Sequence, residues 1–373
     1  MSNIMKKKIL INGRFSSHHF AIRNVIYNIA KELSKKKEWD VYIILNKDSS
    51  IEDFRSLDLH IIINPCPADS AAVNHLYTMF ILPWILFIKR ISLVIYPQIS
   101  VFLYNPCKSI MYMHDLIEYH IDSQKQSKLA FRKKIYPYVC KHSDMIVAVS
   151  ESTKKDIVNF FKIPEKKIVV AYDGKDENLV PVDKTEAKSY VEKKYGINNF
   201  VFYIGYLTHP QKNLIYLIDE FSRFKESNNN TSLVFAGPRG KDADYILEHG
   251  HKVLGEDQFK YLGKVPYDDL RYLYSACELF CFPSLFEGFG MPVLEAMSCG
   301  AVVISSNVSS IPEILQDQRY LVNPKNKGEL CGRMLESYGK DNMEISKRNI
   351  EVAKKYSWES HGNVLRDVIN KLI

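Results

Sequence analysis

The sequence predicts an α/β protein with two parallel-sheet domains facing a cleft. Three observations predict it. The chain has 373 residues, enough for two domains with substantial cores. Short β-branched runs alternate with amphipathic segments of helical length, the pattern of right-handed strand–helix–strand units. That alternation runs its course once, then restarts near residue 200.

In the first half the strands read KKKILIN, VYIIL at 41–45, LHIII at 59–63, SLVIYP, SIMYMHD and DMIVAVS at 144–150. A helical span near 21–33 follows the first. Ser150 reads as the N-cap of SESTKKDIVNFF, and KKIVVAYDG closes the series. The long apolar stretch Met79–Ile95 is broken by Pro83 and by Lys89-Arg90, well short of about 20 clean apolar residues. It reads as a buried helix followed by a strand, with a shallow membrane-dipping face as the alternative. The second half offers FVFYIGYL, SLVFAGPRG, FKYLGKVP, ELFCFPS and AVVISS as strands, with helical spans at 213–224 and 267–275 between them. The polar stretch 181–199 reads as containing the linker. The domain expectation is 1–190, 191–355 and a closing segment 356–373.

Composition narrows the class. Hydrophobic residues are 46 % and charged residues 25 %, ordinary for a globular protein. Seven scattered cysteines without paired metal-type spacing suit free thiols in a reducing cytoplasm. The apolar run after the basic N-terminus is too short for a signal peptide. The net charge of +7 is uneven: residues 1–190 hold 28 Lys+Arg against 20 Asp+Glu, or +8, and the remainder holds 22 against 23, or −1. Anionic lipid, nucleic acid and a merely solvated basic surface all fit such a balance, but no nucleic-acid module is present.

Ligands of open parallel sheets bind beyond the carboxyl ends of strands, so those loops carry the chemistry. The richest is SLFEGFGMPVLEAMSCG at 284–300. Gly288 and Gly290 let the backbone approach a ligand. Pro292 sits in the first turn of a helix, where a missing N–H is harmless. The free amides and positive dipole end of that helix suit phosphate or sugar hydroxyls. Glu287 and Glu295, eight apart, offer paired acceptors for vicinal diols. The bland alternative is an exposed helix face after ordinary turns.

This string resembles the signature of retaining glycosyltransferases of the GT-B fold, family 4 (glycosyl transferases group 1). MHDL at 113–116, VAVSESTKKDI at 147–157, LVFAGPRG, YLGKVPYDDLRYLYSACELFCFPS, ISSNVSSIPEIL and YSWES with Trp358 extend the resemblance along most of the chain. It implies two Rossmann-like domains and a C-terminal helix crossing back to the first. It implies that Glu295 holds the ribose of a nucleotide-sugar donor, and that Glu287 contacts the donor sugar or bears charge at the reacting centre. It implies that amides of Phe289, Gly290 and Met291 hold sugar hydroxyls and diphosphate, and that Lys212 neutralises the leaving diphosphate. Gly205, Gly237 and Gly288 join this donor set, and Val265, beside Gly263 and Lys264, would contact the nucleobase through its main chain. His114 would lie against the donor sugar, often by its carbonyl, and Asp115 would orient it; a satisfied core histidine is the alternative. Gly13 and Arg23 would serve the acceptor loop.

Two departures stand out. Gln211 replaces the arginine many relatives carry before the lysine, and Tyr206 stands where some have another; Arg239 and Lys264 are the candidate substitutes. The first loop has Ser16, Ser17, His18 and His19 where relatives have glycines. Adjacent histidines without a third ligand do not make a metal site, so no metal and no cofactor are expected. The implied function is retaining sugar transfer from a nucleotide sugar to a saccharide or lipid-linked saccharide in bacterial surface polysaccharide synthesis. The expected location is cytoplasmic, at the inner membrane face through anionic lipid, without nucleic acid. A catalytically silent homologue and a GT-B epimerase or phosphorylase are the alternatives.

Overall fold

The structure is a computed structural model that describes residues 6–14, 20–35, 37–47, 51–65, 71–121, 126–340 and 342–373. Ser16, Ser17, His18, His19 and Cys66 lie outside the described residues. The chain divides into two compact units, one of Met1–Leu116, Gln124–Gly174 and Trp358–Ile373, the other of Ile117–Ser123 and Lys175–Ser357.

The first unit holds strands β1 (Lys7–Asn12), β2 (Trp39–Asn46), β3 (His60–Asn64), β4 (Leu93–Tyr96), β5 (Lys108–Met113), β6 (Met145–Ala148) and β7 (Ile168–Val170). They form a parallel sheet in the order β3-β2-β1-β4-β5-β6-β7. Helices cover both faces, so the central strands are apolar throughout; all of Leu93–Tyr96 is buried. On one face Ile9, Ile11, Ile43 and Ile95 pack with Ile26 and Ile29 of helix Phe20–Ser34 and with Leu365 and Ile369 of helix Trp358–Leu372. The C-terminal helix is therefore part of this core. On the other face Leu10, Ile44, Val94 and Met111 pack with Tyr77, Leu82 and Leu86. As the sequence predicts, Ser150 Oγ accepts from Thr153 N at 3.0 Å to cap helix Glu151–Phe161.

The second unit holds β8 (Phe200–Ile204), β9 (Ser232–Ala236), β10 (Phe259–Tyr261), β11 (Leu279–Phe282), β12 (Val303–Ser306) and β13 (Leu321–Val322), parallel in the order β10-β9-β8-β11-β12-β13. Its core is aromatic: Phe202 meets Tyr274 edge-on at 5.7 Å between centroids, and Tyr274 meets Phe280 at 5.3 Å. Both sheets follow the doubly wound pattern, so the α/β expectation holds. In each, strand order reverses beside the first strand: between β1 and β4, and between β8 and β11.

Two expectations need correcting. The stretch 181–199 does not contain the change from one unit to the other. Asp183 caps helix Lys184–Tyr195 by accepting from Thr185 N and Glu186 N. Ala187 and Val191 are its buried residues, and it packs against helix Leu270–Ala276. The unit boundary accordingly falls between Gly174 and Lys175 rather than after 190. The apolar stretch from Met79 is not a buried helix either. It completes helix Ala71–Phe80, turns at Ile81 and forms helix Leu82–Ile88, with only one side of the pair inward.

Gly237, just after β9, has φ +118°, and a Cβ there would lie 2.3 Å from the carbonyl oxygen of Gly205. Backbone against backbone cannot relax by a rotamer change. G237A is expected to lower stability by on the order of 1–3 kcal/mol, read as a reduced urea midpoint. An unchanged midpoint would contradict this packing.

Candidate active site

In the second unit the loops after β8 and β11 flank the point where strand order reverses, and they are tied together by name. Leu285 N donates to Gln211 O at 2.8 Å, and Gln211 Nε2 donates to Phe286 O at 3.4 Å. Lys212 Nζ lies 2.6 Å from Glu287 Oε1, with both side chains mostly buried, and 5.3 Å from the centre of the Phe282 ring. The loop after β12 latches the same segment. Ser309 Oγ accepts from Glu287 N at 2.9 Å; Ser310 Oγ reaches Glu287 O at 3.0 Å and Phe289 O at 2.8 Å. Gly290, at φ +107°, then caps helix Met291–Ser298 without any side-chain hydrogen bond, and Pro292 lies in the first turn. A Cβ on Gly290 would meet the Ile311 side chain at 2.7 Å, so only glycine makes this turn unstrained.

Three side-chain atoms in these loops are buried without a hydrogen-bond partner: Thr208 Oγ1, His209 Nδ1 and Ser284 Oγ. Buried polar atoms are almost always satisfied in a complete structure. These three atoms lie in the two loops that carry Lys212 and Glu287, where water or a polar ligand could satisfy them.

Glu295 has a different setting. Tyr274 donates to its Oε2 at 2.9 Å. Burial raises its carboxyl to about 7; the Tyr274 bond pulls the other way, and the charge of Asp176 adds to the rise. Tyr267 feels the same carboxylates, and its hydroxyl is pushed well up, chiefly by burial. The two glutamates of the signature therefore occupy distinct environments, one ion-paired and one between tyrosines. Gly205, Gly237 and Gly263 end β8, β9 and β10 in direct backbone contact: Gly205 N donates to Ala236 O and Gly237 N to Gly263 O. Val265 follows in the loop after β10, half-buried, with Lys264 exposed. Arg239 is held by Asp244 at the surface.

The first unit places the remaining candidates. Gly13 follows β1 with Ile43 and Ile44 so close that a Cβ would touch them at 3.0 Å. Arg23, on the first helix, is ion-paired with Asp53. His114 and Asp115 follow β5. His114 Nε2 lies 2.6 Å from Pro97 O; a carbonyl only accepts, so Nε2 carries the proton and Nδ1 is the ring's remaining polar atom. Near it lie Asp173, Tyr112 and His361. Burial raises Asp173 to about 6, with His114 opposing, and burial lowers His361 to about 4. His361 Nδ1 donates to Tyr172 O at 3.0 Å, so its Nε2 accepts from the Tyr112 hydroxyl at 2.9 Å.

Several of these residues escape sequence reading: Asp176 beside Glu295, Ser309 and Ser310 as latches, and Asp173 and His361 beside His114. Arg14 is another. It is buried after β1, donating to Asn46 Oδ1 at 3.3 Å and Asn74 Oδ1 at 2.5 Å, with its guanidinium over the Tyr77 ring at 3.8 Å. The serine run of SSNVSS and the aspartate of YDG were the only signals.

Two family models match the chain: Glycosyltransferase Family 4 over residues 22–179 and Glycosyl transferases group 1 over residues 184–356. The chain belongs to this glycosyltransferase family. Among curated relatives, the Escherichia coli O-antigen chain mannosyltransferase B is 29 % identical over 261 residues, 69 % of this chain and 63 % of the relative. The Salmonella typhimurium O-antigen chain mannosyltransferase RfbU is 27 % identical over 220 residues, 58 % of this chain and 56 % of the relative. The matched stretch thus spans about three fifths of each. Among solved structures, Anabaena Alr3699/HepE in complex with UDP and glucose superposes with a TM-score of 0.74 at 16 % identity, covering 98 % of this chain and 100 % of that one. Sucrose-phosphate synthase from Thermosynechococcus elongatus gives 0.75 at 14 % identity, covering 98 % and 99 %. These likenesses confirm the GT-B fold expected for the glycosyltransferase.

The raised carboxyl of Glu295 has a linkage consequence. Its folded value of about 7 lies above the ordinary 4.5, so the stability it contributes is complete below 4.5 and is lost as pH rises toward 7. E295Q cannot titrate. Its urea midpoint should gain on wild type between pH 4.5 and pH 7 and run parallel above; profiles parallel throughout would contradict the assignment.

Proposed function

We propose that this chain transfers a hexosyl group, with retained configuration, from a nucleotide-sugar donor to a saccharide or lipid-linked saccharide in bacterial surface polysaccharide synthesis. The observation that carries the reading is the Lys212–Glu287 pair at the strand-order reversal, set among three buried polar atoms that lack partners. The second unit holds the donor. Lys212 leaves Glu287 for the diphosphate and neutralises the charge that develops as the sugar–phosphate bond breaks. The amides of Phe289, Gly290 and Met291, at a helix start with no side-chain cap, face the sugar and phosphate oxygens. Glu287, released from the lysine, accepts from sugar hydroxyls. Glu295 accepts from the ribose, with Gly288 giving the close approach and Gly205, Gly237 and Val265 bounding the base side. His114, by family likeness, serves the reacting sugar, with Asp115 beside it; Gly13 and Arg23 belong to the acceptor side.

The acceptor oxygen bonds to the anomeric carbon on the face the diphosphate leaves, and the acceptor proton passes to the departing phosphate oxygen. No protein base, metal or cofactor is needed in this scheme. Mannose is the first donor sugar to test, since the O-antigen relatives are named mannosyltransferases.

The test is turnover on a panel of GDP-, UDP- and dTDP-sugars with lipid extract as acceptor, and NMR of the product's anomeric configuration. We expect one donor class to be used with retention, and K212M to lower kcat by about 10²–10³ with the fold intact. Donor binding without turnover on any acceptor would mean a silent homologue. An inverted product would overturn the mechanism.

A further inference from the structure

Residues 71–88, AAVNHLYTMFILPWILFI, contain no Asp, Glu, Lys or Arg. They form helices Ala71–Phe80 and Leu82–Ile88 with the turn at Ile81. Tyr77, Leu82 and Leu86 point into the core against Leu10, Val94 and Met111. The opposite face carries Leu76, Phe80, Ile81, Trp84, Phe87 and Ile88, and Trp84, Phe87 and Ile88 are 67, 68 and 71 % exposed. Positions 76, 80, 84, 87 and 88 repeat at helical spacing along one side. A surface helix normally turns polar residues outward; this one turns its largest apolar residues to solvent.

The surroundings continue the theme. Phe102 packs into the same core as Leu82 and Leu86, while its neighbours Leu103 and Tyr104 are exposed. The His75 ring lies 6.3 Å from that of Phe131, itself exposed, on a helix that continues Arg132-Lys133-Lys134. Lys89 and Arg90, both exposed, close the pair of helices. An apolar face with a cationic rim is the pattern of a helix lying in a membrane interface.

We propose that the helix pair 71–88 is a docking surface for an anionic lipid bilayer, lying in the headgroup plane with Trp84, Phe87 and Ile88 inserted and Lys89 and Arg90 on lipid phosphates. Spanning is excluded for these helices. Seven residues at about 1.5 Å each give a helix roughly a third of the ~30 Å hydrocarbon thickness, and among the described residues no helix is long and apolar enough to cross. Charge selects the bilayer over a second copy of the chain. The charged residues beside the face, Lys89, Arg90, Arg132, Lys133 and Lys134, are all basic, so two such faces would bring like charge together, whereas anionic lipid complements it. The inference stands on this surface alone, so its failure and that of the transfer reading are separable.

The test is flotation of the full chain with phosphatidylcholine vesicles, with and without phosphatidylglycerol. The protein should float with the anionic vesicles at low salt, at least tenfold better than with neutral ones, and less at high salt. W84S/F87S/I88S should lose at least tenfold of this binding, and K89E/R90E should lose the anionic preference; circular dichroism checks that both are folded. Of the three tryptophans, Trp39 and Trp358 are buried, so Trp84 dominates any fluorescence response. Brominated lipid should quench the wild type and not W84F. No binding to anionic vesicles at low salt, or undiminished binding of the triple variant, would overturn the proposal. So would self-association abolished by the triple variant without any vesicle binding, which would make the face a contact between copies.

Discussion

Lys212 and Glu287 hold the candidate site together. They come from loops that follow adjacent strands but lie 75 positions apart in the chain, and their contact of 2.6 Å fixes one loop against the other. Two mostly buried charges are costly to desolvate, and such a pair is retained only with good geometry and neighbouring hydrogen bonds. Here the neighbours are present: Gln211 bridges the two backbones, and Ser309 and Ser310 clamp the glutamate's own segment from the next loop. The arrangement keeps a lysine mostly out of water, oriented and ion-paired. In the proposed donor complex a diphosphate, with more charge and more acceptor oxygens than one carboxylate, would take over the lysine.

One short segment thus yields two acids with different properties. Glu287 is ion-paired. Glu295, eight residues on, sits against Tyr274 with Asp176 contributing repulsion, and its carboxyl is raised to about 7. A carboxyl poised there changes its hydrogen bonding near neutral pH: ionised it only accepts, protonated it also donates one O–H. The first unit repeats the theme around His114. Burial raises Asp173 and lowers His361, so at neutral pH the buried imidazole is uncharged while the carboxyl titrates just below neutrality.

Much of this was legible in the sequence, for physical reasons that also mark the limit. Central parallel strands are buried on both faces, so ELFCF and SLVIYP announce themselves as unbroken apolar runs. Glycine and proline punctuate EGFGMP because the backbone there needs a positive φ at Gly290 and a first turn tolerant of Pro292. The stretch 181–199 reads as containing the linker because only Ala187 and Val191 of the twelve residues of helix Lys184–Tyr195 are buried. The helical part of the stretch 79–95 reads as buried because hydropathy reports how apolar a helix is, not whether both sides find protein; its strand part is buried as expected. Asp176 and His361 left no local trace, since their partners lie far along the chain and only the folded core brings them near.

The central claim is tested most directly by a crystal structure with a bound nucleoside diphosphate, GDP and UDP each being tried. The account predicts a phosphate oxygen within about 3 Å of Lys212 Nζ, the Lys212–Glu287 contact opened, and both ribose hydroxyls on Glu295. A nucleotide bound elsewhere, with that ion pair intact and the orphaned Ser284, Thr208 and His209 atoms untouched, would contradict it.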